Sequence, residues 1–174
     1  EDILDAIEKN PSAAFVLLTR PDYYGMCMDL SGIVFSAHSR GMRLLIDEAH
    51  GAHLPAMKGM KSASKWEADI WVNSAHKTLP ALNGAAYIHM RSGEDDRRMR
   101  SILRMVHTSS PSFPALCSLE DARAYLVRQG YEKLRALGEL CEKTRMSLER
   151  AGFRSPQQRW AEVQGGTADL TRLV

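Results

Sequence analysis

Leu44-Leu45-Ile46-Asp47-Glu48-Ala49-His50-Gly51-Ala52-His53 decides the fold: an aliphatic run ends on an acid, then breaks into small residues and histidines. Three aliphatics after Arg43 read as a strand apolar on both faces, the mark of a parallel sheet covered on both sides. Residues 68–73 repeat the pattern, Ala68-Asp69-Ile70-Trp71-Val72-Asn73, and lead into Ser74-Ala75-His76-Lys77-Thr78-Leu79-Pro80. Upstream, residues 13–18 form another apolar run, followed by the loop Pro21-Asp22-Tyr23-Tyr24-Gly25, and residues 85–90 supply a fourth strand. Helical spacing is expected over 2–9 and 29–40, then over 94–107, 115–129 and 131–151.

Strands alternating with helices predict an α/β fold, a mostly parallel sheet flanked by helices. Ligands of such sheets collect beyond the C-terminal ends of the strands. Asp22, Asp47 and Lys77 all fall at those ends. Residues 50–61, rich in Gly, Pro, Met and Lys, suit a mobile loop. Residues 1–154 are expected to form part of one domain, and 155–174 a linker toward another. That linker finishes in Leu170-Thr171-Arg172-Leu173-Val174, a strand start.

A chain of 174 residues has room for one substantial core. Its net charge of +2 is too small to argue for a nucleic-acid or membrane surface, and no apolar run approaches a membrane span. Cys27, Cys117 and Cys141 are widely spaced without a Cys-x-x-Cys pair, which argues against a disulfide framework and against a zinc site. A reducing cytoplasm is the default setting. The basic run Arg97, Arg98, Arg100 and Arg104 reads as a solvated helix face.

An acid at a strand end is ordinarily a solvated acid, and a lysine is ordinarily a surface lysine. Here Asp47 closes an aliphatic strand, so its carboxylate calls for a cationic partner. Lys77 follows a buried-type strand and is flanked by Ser74, His76 and Thr78. Together they match the way pyridoxal phosphate is held: the amine forms a Schiff base with the aldehyde, and the acid keeps a proton on the ring nitrogen. Desolvation beside the cofactor would activate the amine. Asp-Glu-Ala-His after an aliphatic strand is also the water-activating box of a helicase class, and Ser74-Ala75-His76 is similar to its next motif. That scheme needs a phosphate loop, absent here, and leaves Lys77-Thr78-Leu79-Pro80 without a role.

The chain resembles the major domain of the Orn/Lys/Arg decarboxylase family, pyridoxal-phosphate enzymes of aminotransferase fold type I. The stretches that carry the likeness are Pro21-Asp22-Tyr23-Tyr24-Gly25-Met26, Leu45-Ile46-Asp47-Glu48-Ala49-His50-Gly51-Ala52-His53-Leu54, Ala68-Asp69-Ile70, Ser74-Ala75-His76-Lys77-Thr78-Leu79-Pro80-Ala81-Leu82 and Thr108-Ser109-Ser110-Pro111-Ser112. The resemblance implies that Lys77 is the cofactor lysine, Asp47 the ring-nitrogen partner, and Ala49 the residue packed under the ring. It implies that Ser74 and His76 contact the phosphate. It also implies that Thr108 and Ser109 lie near a subunit interface where they reach a neighbour's cofactor, so a homodimer is expected. His50 and His53 are candidates for the substrate side. Asp22 departs from the family, which has a small neutral polar residue there. The family's phosphate-cradling loop and ring-stacking residue precede the region matched, so the isolated segment is expected to be an incomplete enzyme.

The resulting expectation is decarboxylation of a basic amino acid, with His76 or Lys77 as proton donor. An aminotransferase or lyase of the same fold is the alternative, since the acid–lysine pair serves those reactions equally. An inactive truncated fragment is a third reading.

Overall fold

Two of the expected apolar runs become neighbours in a computed structural model that describes residues 2–91, 96–155, 157, 159–160 and 165–174. Strand β1 (Phe15–Thr19) pairs in parallel with β3 (Arg43–Asp47), Thr19 lying opposite Asp47. Strand β4 (Ile70–Asn73) continues the parallel set on the other side of β3, with Val72 opposite Asp47. Strand β5 (Tyr87–Met90) then turns back antiparallel, giving the order β1-β3-β4-β5. The sheet is thus mixed and mostly parallel. Its register brings Thr19, Asp47 and Asn73, the last residues of three strands, to one edge.

The core lies on one face. Leu44 and Ile46 point into it together with Leu30, Met42, Ala63 and Ala68. Helix α1 (Ile3–Lys9) adds Ile7, and α2 (Ser31–Ser39) adds Ile33 and Ala37. Burial on both faces was expected of every strand, but β1 departs from this: Phe15 is 53% and Leu17 62% exposed. Alternation along the strand sends those two side chains away from Val16 and Leu18, which pack on the core.

The loop from Glu48 to Trp66 is packed, against the mobile loop expected for residues 50–61. Ala52, His53 and Leu54 are buried, and two short 3-10 turns, Leu54–Ala56 and Ala63–Trp66, shape it. Arg20 and Glu48, 2% and 1% exposed, hold it from below with side chains 4.0 Å apart. Arg20 donates to the carbonyls of Met28 (2.8 Å) and Lys61 (2.7 Å). Glu48 accepts from the Ala63 N–H (2.7 Å) and from Asn73 Nδ2 (3.1 Å). The buried pair thus captures loop backbone at Lys61 and Ala63, which is how a polar composition can still give an ordered loop.

A short helix α3 (Ala75–Thr78) follows β4, and the remainder is helical: α4 (Asp96–Val106), α5 (Phe113–Tyr125) and α6 (Tyr131–Arg150). The first positions of the helix expected over 94–107 lie outside the described residues. The two helices expected at 115–129 and 131–151 are joined without a break through a π turn, Leu126–Gly130. Gly130 permits the junction: a Cβ there would stand 2.8 Å from Leu126 Cδ1 and 3.1 Å from Ala56 Cβ.

Near the end of the chain, the strand is β6 (Thr167–Ala168) rather than residues 170–174. It pairs antiparallel with β2 (Met26–Cys27) and stitches residues 165–174 to the first part of the chain. Among the described residues, no helix is long and apolar enough to cross a membrane.

Candidate active site

Everything at the sheet edge is built from strand ends and the turns that follow them. Asp47 closes β3, and its Oδ1 accepts the Ala49 N–H at 3.0 Å, which starts the turn leading to His50. Its Oδ2 has no protein partner among the described residues. From the neighbouring strand, Asn73 leads into α3, where the Lys77 N–H donates to the Ser74 carbonyl at 3.1 Å. Lys77 Nζ then comes within 3.4 Å of His50 Nε2. The acid and the lysine named by the sequence therefore stand at one edge, Asp47 at the end of β3 and Lys77 in the helix that follows the adjacent parallel strand β4, with His50 reaching Lys77. Lys77 is exposed, so any desolvation of its amine must come from what covers this edge.

His76 uses its ring to fasten the site: Nδ1 lies 3.0 Å from the Ala85 carbonyl. A carbonyl only accepts, so Nδ1 carries the proton and the neutral ring has an acceptor at Nε2. The half-buried Ser74 caps nothing with its hydroxyl. Asp22 closes its own loop, Oδ1 accepting the N–H groups of Tyr24 (2.9 Å) and Met26 (2.8 Å). That carboxylate is thereby held in place by backbone donors.

The two loop histidines part company. His53 is buried with Nε2 2.9 Å from Asp169 Oδ2, a structural pair that ties the loop to the C-terminal segment. His50 stays at the edge, its ring edge-on to Tyr23 with centroids 5.6 Å apart. Burial depresses its basicity, with help from the cations of Lys77 and Arg172 and against the pull of Asp47 and Asp22. Thr108 and Ser109, between α4 and α5, are exposed. Thr108 Oγ1 accepts from the Ser110 N–H (3.1 Å), and among the described residues no hydrogen bond joins Thr108 or Ser109 to the strand-end cluster.

Arg172 was missed by sequence reasoning. Its guanidinium donates to the Tyr23 carbonyl (2.9 Å) and reaches His50 Nδ1 (3.0 Å). No local motif marks it: it comes to the edge only because β6 docks on β2 and Asp169 is buried against His53.

The family described as Orn/Lys/Arg decarboxylase, major domain, matches residues 1–163. The arginine decarboxylase of Bacillus subtilis is 36% identical over 145 residues, 82% of this chain and 30% of that protein. A second protein of the same organism, named only as uncharacterized YaaO, is 44% identical over 127 residues, 71% of this chain and 26% of that protein. Among solved structures, the Francisella novicida lysine decarboxylase LdcF superposes with a TM-score of 0.67 at 17% identity, covering 88% of this chain and 23% of that one. At that identity the likeness shows the fold. The chain spans 30% or less of the length of these two Bacillus relatives.

Proposed function

The chain belongs to the Orn/Lys/Arg decarboxylase family of pyridoxal-phosphate enzymes with aminotransferase fold type I, and on that premise we propose that it forms the cofactor-binding core of a decarboxylase of a basic amino acid. One observation carries the proposal: Asp47 ends β3 and Lys77 lies in α3, just past the end of the adjacent parallel strand β4, with His50 reaching the lysine. The donor set fits the cofactor. Among the described residues, the Lys77 amine has no carboxylate partner and the strand-end carboxylate keeps one oxygen unclaimed.

Bound pyridoxal phosphate supplies an aldehyde for an amine and a ring able to take up the electron pair left when a substrate carboxylate departs as CO2. Lys77 would hold the aldehyde end through Nζ, and Asp47 Oδ2 would accept the ring N–H, keeping that nitrogen protonated. Ala49, small enough to admit a flat ring, would pack beneath it. Ser74 would donate its hydroxyl to the phosphate. His76 has Nδ1–H committed to Ala85, so it would donate to the phosphate from Nε2 only as the imidazolium. Lys77 Nζ, or His76 Nε2 in the imidazolium form, would return a proton to the carbon that loses its carboxylate.

Thr108 and Ser109 are proposed to serve the site of a second copy. In support, Met105, Val106 and Phe113 around them leave large apolar side chains in solvent. A homodimer in the cytoplasm, with an amino acid as substrate, completes the proposal. The test is product analysis on the intact protein given arginine, lysine and ornithine in turn. CO2 with agmatine or the matching diamine is the expected outcome. A keto acid without CO2 would replace decarboxylation by transamination.

A further inference from the structure

Arg172 is fixed at three corners. One guanidinium nitrogen donates to the Tyr23 carbonyl (2.9 Å), another stands 3.0 Å from His50 Nδ1, and Nε lies 3.6 Å from Asp169 Oδ2. Asp169 is itself fully buried and holds His53 Nε2 and the Thr171 N–H. A guanidinium has donors only. The short contact to His50 is therefore a hydrogen bond only if Nδ1 presents a lone pair, and a neutral ring then carries its proton on Nε2. That is the atom 3.4 Å from Lys77 Nζ.

We propose that Arg172 is a positioning residue acting through His50: it locks the imidazole as the Nε2–H tautomer and so presents Lys77 with a hydrogen-bond donor instead of an acceptor. A donor pairs with a nitrogen lone pair, the feature that makes an amine a nucleophile, whereas the other tautomer would pair with an ammonium N–H. Tyr23, edge-on to the ring, helps hold its plane. The charged groups facing His50 are Lys77 and Arg172 on the cationic side and Asp47 and Asp22 on the anionic side. The C-terminal segment thus belongs to the working edge of the site. A Lys77 ammonium, also donor-only, would ask for the opposite tautomer at 3.4 Å, but the shorter Arg172 contact of 3.0 Å decides it, and only the consequence for catalysis rests on Lys77 being the cofactor lysine.

The measurement is nitrogen NMR of the intact, cofactor-free protein with histidine-selective labelling, the His50 signals being assigned by their loss in His50→Gln. Near neutrality the wild-type ring is expected to show a bare Nδ1 and a protonated Nε2. In Arg172→Met the two nitrogens should move toward mixed tautomers, and the titration midpoint of the ring should rise, because a cation has left. A wild-type His50 with Nδ1–H, or with mixed tautomers, overturns the proposal without recourse to any variant. So does an Arg172→Met spectrum that matches the wild type in both tautomer and midpoint. Because no cofactor is present, a failure of Lys77 to hold pyridoxal phosphate leaves this result standing, and the reverse also holds.

Discussion

Replacing Glu48 by Gln should flatten a pH dependence that the wild-type protein carries. Glu48 follows the candidate cofactor acid directly and is almost fully buried. Burial pushes its carboxyl up to about 7 from an ordinary 4.5, even though bonds from Asn73 and the Ala63 N–H and the charge of Arg20 pull the other way. A folded-state value above the unfolded one means that the folded protein binds the proton more tightly. The resulting stabilisation is fully present below the unfolded value and is lost as pH rises toward and through the folded one. At about 1.4 kcal/mol per unit, the contribution lost between about pH 5 and pH 8 is roughly 2–3 kcal/mol. Gln cannot titrate, so the stability of wild type minus that of Glu48→Gln should fall by that amount over the range. Urea unfolding followed by tryptophan fluorescence reads it, since Trp66 lies in the same loop, 4.1 Å under the Lys61 ammonium. A difference flat with pH to within about 0.5 kcal/mol, or rising, would show that Arg20 and the two donors keep the carboxylate charged and that burial does not dominate.

Asp169→Ala strips His53 of the one hydrogen-bond partner it has among the described residues, in a buried site, and should cost about 2–4 kcal/mol in urea unfolding; a loss under about 0.5 kcal/mol would mean that the pair does not anchor the segment. Gly51→Ala places a Cβ 2.5 Å from Glu48 Cγ and 2.9 Å from Pro21 Cδ, so thermal unfolding should report a destabilisation of about 1–3 kcal/mol. Asp47→Asn keeps an acceptor for the Ala49 N–H but removes the charge, and kcat of the intact protein should fall on the order of 10²–10³-fold; an unchanged kcat would remove Asp47 from the chemistry.

The parallel core was legible because its signals are local. Arg43–Asp47 is a run of aliphatics ending on an acid, and the strand ends at that acid in the structure. The places of Asp47 and Lys77 also follow from local signals, one at the end of β3 and the other in the helix after β4, and the parallel register of the two strands puts both at one edge. What stayed hidden depends on contacts between residues far apart in the chain. His53 meets Asp169, and His50 meets Arg172, across more than a hundred positions each. Among 23 lysines and arginines nothing singles out Arg172. The loop after Asp47 reads as mobile from its Gly, Pro, Met and Lys content, but the buried Arg20–Glu48 pair captures its backbone. The antiparallel return of β5 carries no local mark, since a strand as short as Tyr87–Met90 reads the same in either direction.

Reductive trapping bears most directly on the central claim. The intact protein, loaded with pyridoxal phosphate, is treated with borohydride, digested and mapped by mass spectrometry. The expected result is a pyridoxyl group on Lys77, absent from Lys77→Ala. A pyridoxyl group on a different lysine, or one that persists in the Lys77→Ala protein, would contradict it.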